Sequence, residues 1–184
     1  MYYMLECYGP MEFERQAIAS EPTEEMVSWM RGLTIETPLP TPIEVVMDGD
    51  GIMMPMFYRG ILLFRDDLIQ AMESAGVDNM DYYDTVLIDP VANVRYDNYK
   101  AVNIIGLVAA ADLQKSKYTA PSGVPMIDTN FDSVVIDEEK AMGLLMFRMA
   151  ECVSAIVIHE KVKDYIEQAG IKYLDFIKPK KWFG

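Results

Sequence analysis

Gly60–Gly76, GILLFRDDLIQAMESAG, returns in degenerate form at Ser154–Gly170, SAIVIHEKVKDYIEQAG. At constant offset Phe64 falls on Ile158, Glu73 on Glu167, Ala75 on Ala169, Gly76 on Gly170 and Asp81 on Asp175. Apolar positions also hold: Leu68 meets Val162, Met72 meets Ile166, Val77 meets Ile171 and Met80 meets Leu174. Ile61–Phe64 is a short apolar run that suits a buried strand. Leu68, Met72 and Ala75 recur at helical spacing and make one apolar stripe. Asp66 or Asp67 stands where an acidic side chain caps a helix and complements its dipole. Gly76 and Gly170 supply left-handed stops. Each copy therefore predicts strand, charged turn, helix and glycine stop, over 61–83 and 155–177.

Outward from the repeat, strand signals outnumber helical ones. Tyr2–Tyr8 is aromatic-rich, has no helix cap, and ends at Gly9-Pro10. Residues 11–25 are polar and poorly periodic, and the prolines at 38, 40 and 42 force an extended surface segment. Ile43–Met47 reads as strand, with Asp48-Gly49-Asp50-Gly51 as a hairpin-type turn into Ile52–Phe57. Further strands are expected at Val86–Ile88, Tyr99–Val108, Val134–Ile136 and Leu144–Met149, with a loop or short hairpin over 116–130. The predicted class is α+β, an antiparallel or mixed sheet with a few helices, including the two related strand–helix–Gly units. A length of 184 residues suits a single domain, 1–184, with a strand- and proline-rich portion at 1–56 and the repeat-bearing portion at 57–184.

The formal net charge is −13, and residues 1–60 carry ten acids against three bases. Such a surface repels phosphate backbones and anionic lipid, so neither nucleic acid nor membrane is an expected partner. No apolar run is long enough to cross a bilayer and no secretory leader is legible, so the reading is cytoplasmic. Cys7 and Cys152 read as two reduced, buried thiols, with one disulfide as the other arrangement.

Most reaction chemistry is excluded by inventory. The single histidine, His159, occupies the repeat position of Arg65, where a polar residue at a helix start explains it. One histidine and two distant cysteines cannot assemble a zinc set, and DGDG lacks calcium-loop spacing, since Met53 and Arg59 stand where that loop needs Gly and Glu. No glycine-rich nucleotide loop or nucleophile elbow is present. Asp66-Asp67 is the most conspicuous carboxylate pair, but neighbours on a helix do not face one another. No catalytic residue, metal ligand or cofactor is assigned. Met53-Met54-Pro55-Met56 reads as core, or as a partner site.

Three segments together resemble a known family: ILLFRDDLIQAMESAGVDNMDYY (61–83), YDNYKAVNIIGLVAAADLQKSKY (96–118) and FRMAECVSAIVIHEKVKDYIEQAGIKYLDF (147–176). The shared elements are Phe64-Arg65-Asp66, Ala75-Gly76-Val77-Asp78-Asn79, Tyr99 through Gly106, Asp112-Leu113 and Ser116-Lys117-Tyr118. They are similar to a bacterial immunity family, numbered eleven and once a domain of unknown function, from polymorphic-toxin and type VI or Rhs-type effector loci. The resemblance covers roughly the C-terminal two-thirds. It implies a non-enzymatic toxin inhibitor that occludes a cognate toxin or effector domain stoichiometrically. An adaptor or chaperone of an effector locus is the alternative, and a small carboxylate-dependent enzyme the third reading. Phe64, Arg65, Asp66, Gly76, Asn103 and Gly106 are read as scaffold, with Asn103 bonding backbone and Gly106 permitting a bulge or close approach. The expected toxin domain is basic, which makes Glu24, Glu25, Asp48 and Asp50 the candidate toxin-binding acids. A homodimer is compatible with this reading.

Overall fold

The computed structural model describes residues 1–8, 16–19, 29–48, 51–59 and 61–184. In chain order these form β1 (Tyr2–Glu6), β2 (Gln16–Ala19), β3 (Ile43–Asp48), β4 (Met56–Arg59), β5 (Ile61–Arg65), α1 (Asp66–Ala75) and β6 (Met80–Asp89). Then follow β7 (Val94–Ile104), β8 (Leu107–Val108), β9 (Lys117–Thr119), β10 (Asn130–Ser133), β11 (Met146–Met149), β12 (Ile156–His159), α2 (Glu160–Gln168) and β13 (Asp175–Ile177). A mixed six-stranded sheet runs β2-β3-β6-β7-β5-β4, a five-stranded sheet β13-β1-β12-β11-β8, and β9 and β10 make a separate ribbon. The class is α+β.

The repeat explains the architecture. In the first copy β5 and β6 both pair antiparallel with β7, which lies between them. In the second, β12 and β13 both pair antiparallel with β1 in the same way. Each copy is thus a split β-α-β unit whose two strands run parallel around one inserted strand. The helices α1 and α2 pack on each other. Leu62, Phe64, Leu68, Met72, Val102 and Ile104 from the first unit join Tyr3, Leu5, Ile156, Ile158, Val162 and Ile166 from the second in one buried cluster. The alternate residues of the same strands face outward into two further cores. Tyr2, Met4, Phe147, Val157 and Trp182 form one, and Val45, Leu63, Leu87, Tyr99 and Ala101 the other. Burial on both faces is why these strands read as continuous apolar runs and not as alternating ones.

Helix termini follow the local sequence, with one correction. Gly76 is left-handed (φ 99°), its N–H bonds Glu73 O at 2.8 Å, and Val77 N bonds Met72 O at 3.0 Å. That closes α1 as a Schellman stop. Neither Asp66 nor Asp67 is the N-cap: Arg65 holds that position and makes no side-chain cap. Asp67 instead accepts from Leu68 N at 2.9 Å and takes the Arg65 guanidinium on both oxygens at 2.7 Å. That bidentate bond holds its carboxyl below the usual range. In α2 the cap is made by His159, whose Nδ1 accepts from Lys161 N at 3.2 Å.

Strand pairing departs from the sequence reading in four places. The hairpin expected from Asp48 into Ile52–Phe57 does not form: β3 pairs with β2 and β6, while β4 pairs with β5. Residues 49 and 50 of that turn lie outside the described residues. A strand sits at Gln16–Ala19, within the stretch read as polar and unperiodic. The run Tyr99–Val108 is two strands, because the chain leaves the six-stranded sheet after Ile104 and joins the other as β8, parallel to β11. Val134–Ile136 lies beyond β10, and its one β-bridge among the described residues is Ala111–Ile136. The edge strands β2 and β4 approach to within 8 Å, so the six-stranded sheet curls around its inner core; laid flat, five strand spacings would separate them by roughly 24 Å. The methionine run is core: Met54 and Met56 are both buried.

Candidate functional site

The helix pair covers only part of the six-stranded sheet. On the same side, further along β3 and β6, the sheet presents Glu44, Val46 and Asp48 beside Tyr82, Asp84, Val86 and Ile88. Parallel register puts Glu44 next to Val86 and Val46 next to Ile88. These β-branched residues suit a pleated, half-buried surface, and Val46, Val86 and Ile88 are half-buried. Beyond them the β6–β7 turn exposes Val91 and Val94. That turn is set by Asp89, whose Oδ1 accepts from Val91 N at 3.0 Å and Ala92 N at 2.9 Å.

Charge frames this aliphatic strip. Arg95 Nη2 reaches across to Glu44 Oε1 at 2.9 Å, and Lys100 Nζ bonds Asp84 Oδ1 at 2.9 Å. The Asp84 bond raises the Lys100 ammonium, with Asp66 and Asp97 adding to it. Asp48 ends β3 and is exposed. Acids thus outnumber bases around an apolar centre, the anatomy of a protein-binding patch with a polar rim. Of the acids singled out by sequence, Asp48 lies on this face. Glu24, Glu25 and Asp50 lie outside the described residues.

The motif residues sit elsewhere. Phe64 is fully buried in the helix-side core, and Arg65 and Asp66 stand at the start of α1. Asn103 is fully buried, and its Nδ2 donates to Leu33 O at 2.8 Å. Gly106 (φ 120°) donates to Gly32 O at 2.9 Å. A Cβ on Gly32 would stand 2.8 Å from backbone atoms of Gly106 and Leu107, so the two segments cross in contact. Asn79, which the sequence reading placed in a shared motif without giving it a role, clamps this crossing. Its Nδ2 bonds Ile105 O at 2.6 Å and Met146 O at 2.9 Å, tying the two sheets together. Its place after the glycine stop was the available signal.

The buried polar groups show what the interior does chemically. Both cysteines are free, and burial pushes the Cys7 thiol up to about 11, which leaves almost no thiolate at neutral pH. Arg148 is fully buried, with Nη1 donating to Tyr58 Oη at 2.9 Å and Val153 O at 3.1 Å. Glu151 is buried; its Oε1 accepts from Ala111 N at 3.1 Å, while Oε2 has no partner among the described residues. Burial raises this carboxyl above its ordinary value. Its folded pKa then exceeds the unfolded one, so the penalty is absent at low pH and grows as pH rises through the folded value. Glu151→Gln is expected to melt above the parent at about pH 7 and to lose that advantage near pH 4. Melting curves at the two pH values check this, and an equal gain at both would sink ionisation as the cause.

No group of three or more potential metal ligands occurs among the described residues, and no described helix is long and apolar enough to cross a membrane. Two split β-α-β units thus carry an acid-framed sheet face that no described helix covers. The profile of the immunity protein family Imm11 matches residues 36–181, and the chain belongs to that family. The match begins at residue 36, so it takes in β3 and Asp48, which the sequence resemblance had left outside. No curated protein matches the chain significantly.

Proposed function

We propose that this protein protects its own cell by binding a cognate toxin domain stoichiometrically, with the β3–β6–β7 face lying over the toxin's active site or substrate path. The supporting observation is the half-buried strip Val46–Val86–Ile88 with Glu44, Asp48, Asp84 and Asp97 around it. Membership of an immunity family supplies the kind of partner. The aliphatic centre would exclude water at the interface core, and the rim acids would steer a basic toxin and fix its register. The same steering role is proposed for Glu24, Glu25 and Asp50.

The test is association kinetics with the toxin encoded beside this chain. Reversal of Asp48, Asp84 and Asp97 to lysine is expected to slow association about tenfold at low salt and to flatten its salt dependence. An unchanged rate and unchanged salt dependence would remove acidic steering by this face. Expression of the partner alone separates neutralisation from adaptor action: a harmless partner, not rescued because it needs no rescue, would point to the adaptor.

A further inference from the structure

A second feature lies on the other sheet and does not rest on the acidic face. An open cleft of about 420 Å³ runs between the start of β1, the segment after β10 and the C-terminal tail. Its floor is apolar, built from Tyr2, Val134, Ile136 and Pro179. Its rim carries Lys178, Lys180 and Lys181, with Glu138 as the acid on the lining. All three lysines are exposed, and none has an ion pair among the described residues. Lys117, Lys161 and Lys172 likewise have no ion pair among the described residues, while Lys100, Lys115, Lys140 and Lys163 are each paired with a carboxylate. What sets the rim apart in a chain of net charge −13 is the clustering of three lysines within residues 178–181.

The tail that carries these lysines is held in place. Trp182 is buried beneath it, Nε1 donates to Glu6 Oε1 at 2.8 Å, and its ring packs on Phe131. Val134 N donates to Pro179 O at 3.2 Å and Trp182 N to the same oxygen at 3.1 Å, so the cleft walls are joined by backbone. The cleft is therefore preformed, and of a size that takes a few side chains. Lys178 precedes a 3-10 turn at Pro179–Lys181, so the three lysines fall within four consecutive residues along the cleft rim. Lysines along the rim of an apolar trough complement carboxylates that flank an aliphatic side chain on an extended chain.

We infer that this cleft is a docking site for an extended acidic–aliphatic segment of a partner protein, an aliphatic side chain filling the trough and flanking carboxylates meeting Lys178, Lys180 and Lys181. The probe is a labelled heptapeptide alternating aspartate and leucine, titrated into the full chain and read by fluorescence anisotropy and backbone amide shifts. Saturable binding is expected, with shifts centred on Val134–Ile136 and 178–181. The triple variant Lys178→Glu, Lys180→Glu, Lys181→Glu is expected to bind at least about tenfold more weakly with an unchanged melting temperature, since the three side chains are exposed. A peptide with lysine in place of aspartate should not bind. The inference is overturned by no binding at millimolar peptide, by equal affinity in the triple variant, by shifts confined to other residues, or by dodecanoate binding where the peptide does not. Toxin neutralisation measured on the same triple variant reads the acidic face separately, because these lysines lie outside it.

Discussion

The double variant Val86→Lys, Ile88→Lys will fold and will bind the cognate toxin about a hundredfold more weakly, or worse. Both side chains point away from the inner core, on the side of β6 that carries Tyr82 and Asp84, and both are half-buried. Lysine can lay its methylene stem along the sheet and keep its ammonium in water, so the unbound protein should lose no more than about 1–2 kcal/mol. In the complex the same two positions would have to desolvate a charge at the centre of the patch, opposite the basic surface proposed for the toxin. Interface-centre residues each contribute about 2 kcal/mol or more when they are anchors, and two together exceed a hundredfold. Affinity by calorimetry, growth rescue on co-expression and a melting curve give the three readouts. Retained affinity with an intact fold would move the interface off this face, while a collapsed melting temperature would be resolved by Val86→Thr, Ile88→Thr, which keeps β-branching.

The second large effect is on stability. Phe64→Ala should cost about 3–5 kcal/mol, the range for removing a buried aromatic ring. Phe64 is fully buried at the end of β5, packed with α1 and with residues of the opposite split unit. The void would sit between two sheets and a helix pair, none of which can collapse into it without moving the others. Against a total stability of about 5–15 kcal/mol this is a large fraction. Urea unfolding at neutral pH measures it, and a loss below about 1 kcal/mol would contradict the packing described. Phe64→Leu should retain most of the stability.

The two large effects differ in how far they could be read beforehand. Phe64 stood out because its repeat partner, Ile158, is equally apolar and equally placed before a helix. The candidate face did not stand out. Val46, Val86 and Ile88 look like any core valine or isoleucine, yet in the structure they are half-buried. Asp48 was singled out for its charge and lies on that face, but Glu44 and Asp84 join it through strand pairing, and Asp97 through its charge acting on Lys100. Asn79 was invisible as a clamp because its two acceptors, at Ile105 and Met146, are remote in sequence.

Residue order alone carries the two strand–helix–glycine units, the helix stops and the mixed α+β class. Those signals are local: a helical stripe, a left-handed glycine and a short apolar run act over a single turn or strand. Which strand lies beside which is a different kind of information. The insertion of β7 between β5 and β6, of β1 between β12 and β13, and the parallel match of β3 with β6 join segments far apart in the chain. Strand periodicity says which face a side chain takes and not which partner the strand meets, so DGDG looked like a hairpin although β4 lies at the far edge. The passage of AVNIIGLV from one sheet to the other depends on Gly32 touching Gly106, a contact of backbones that no window of sequence contains. Burial of the sheet faces in three cores selects one arrangement, and with it the stretch of β3, β6 and β7 proposed as the toxin-binding face.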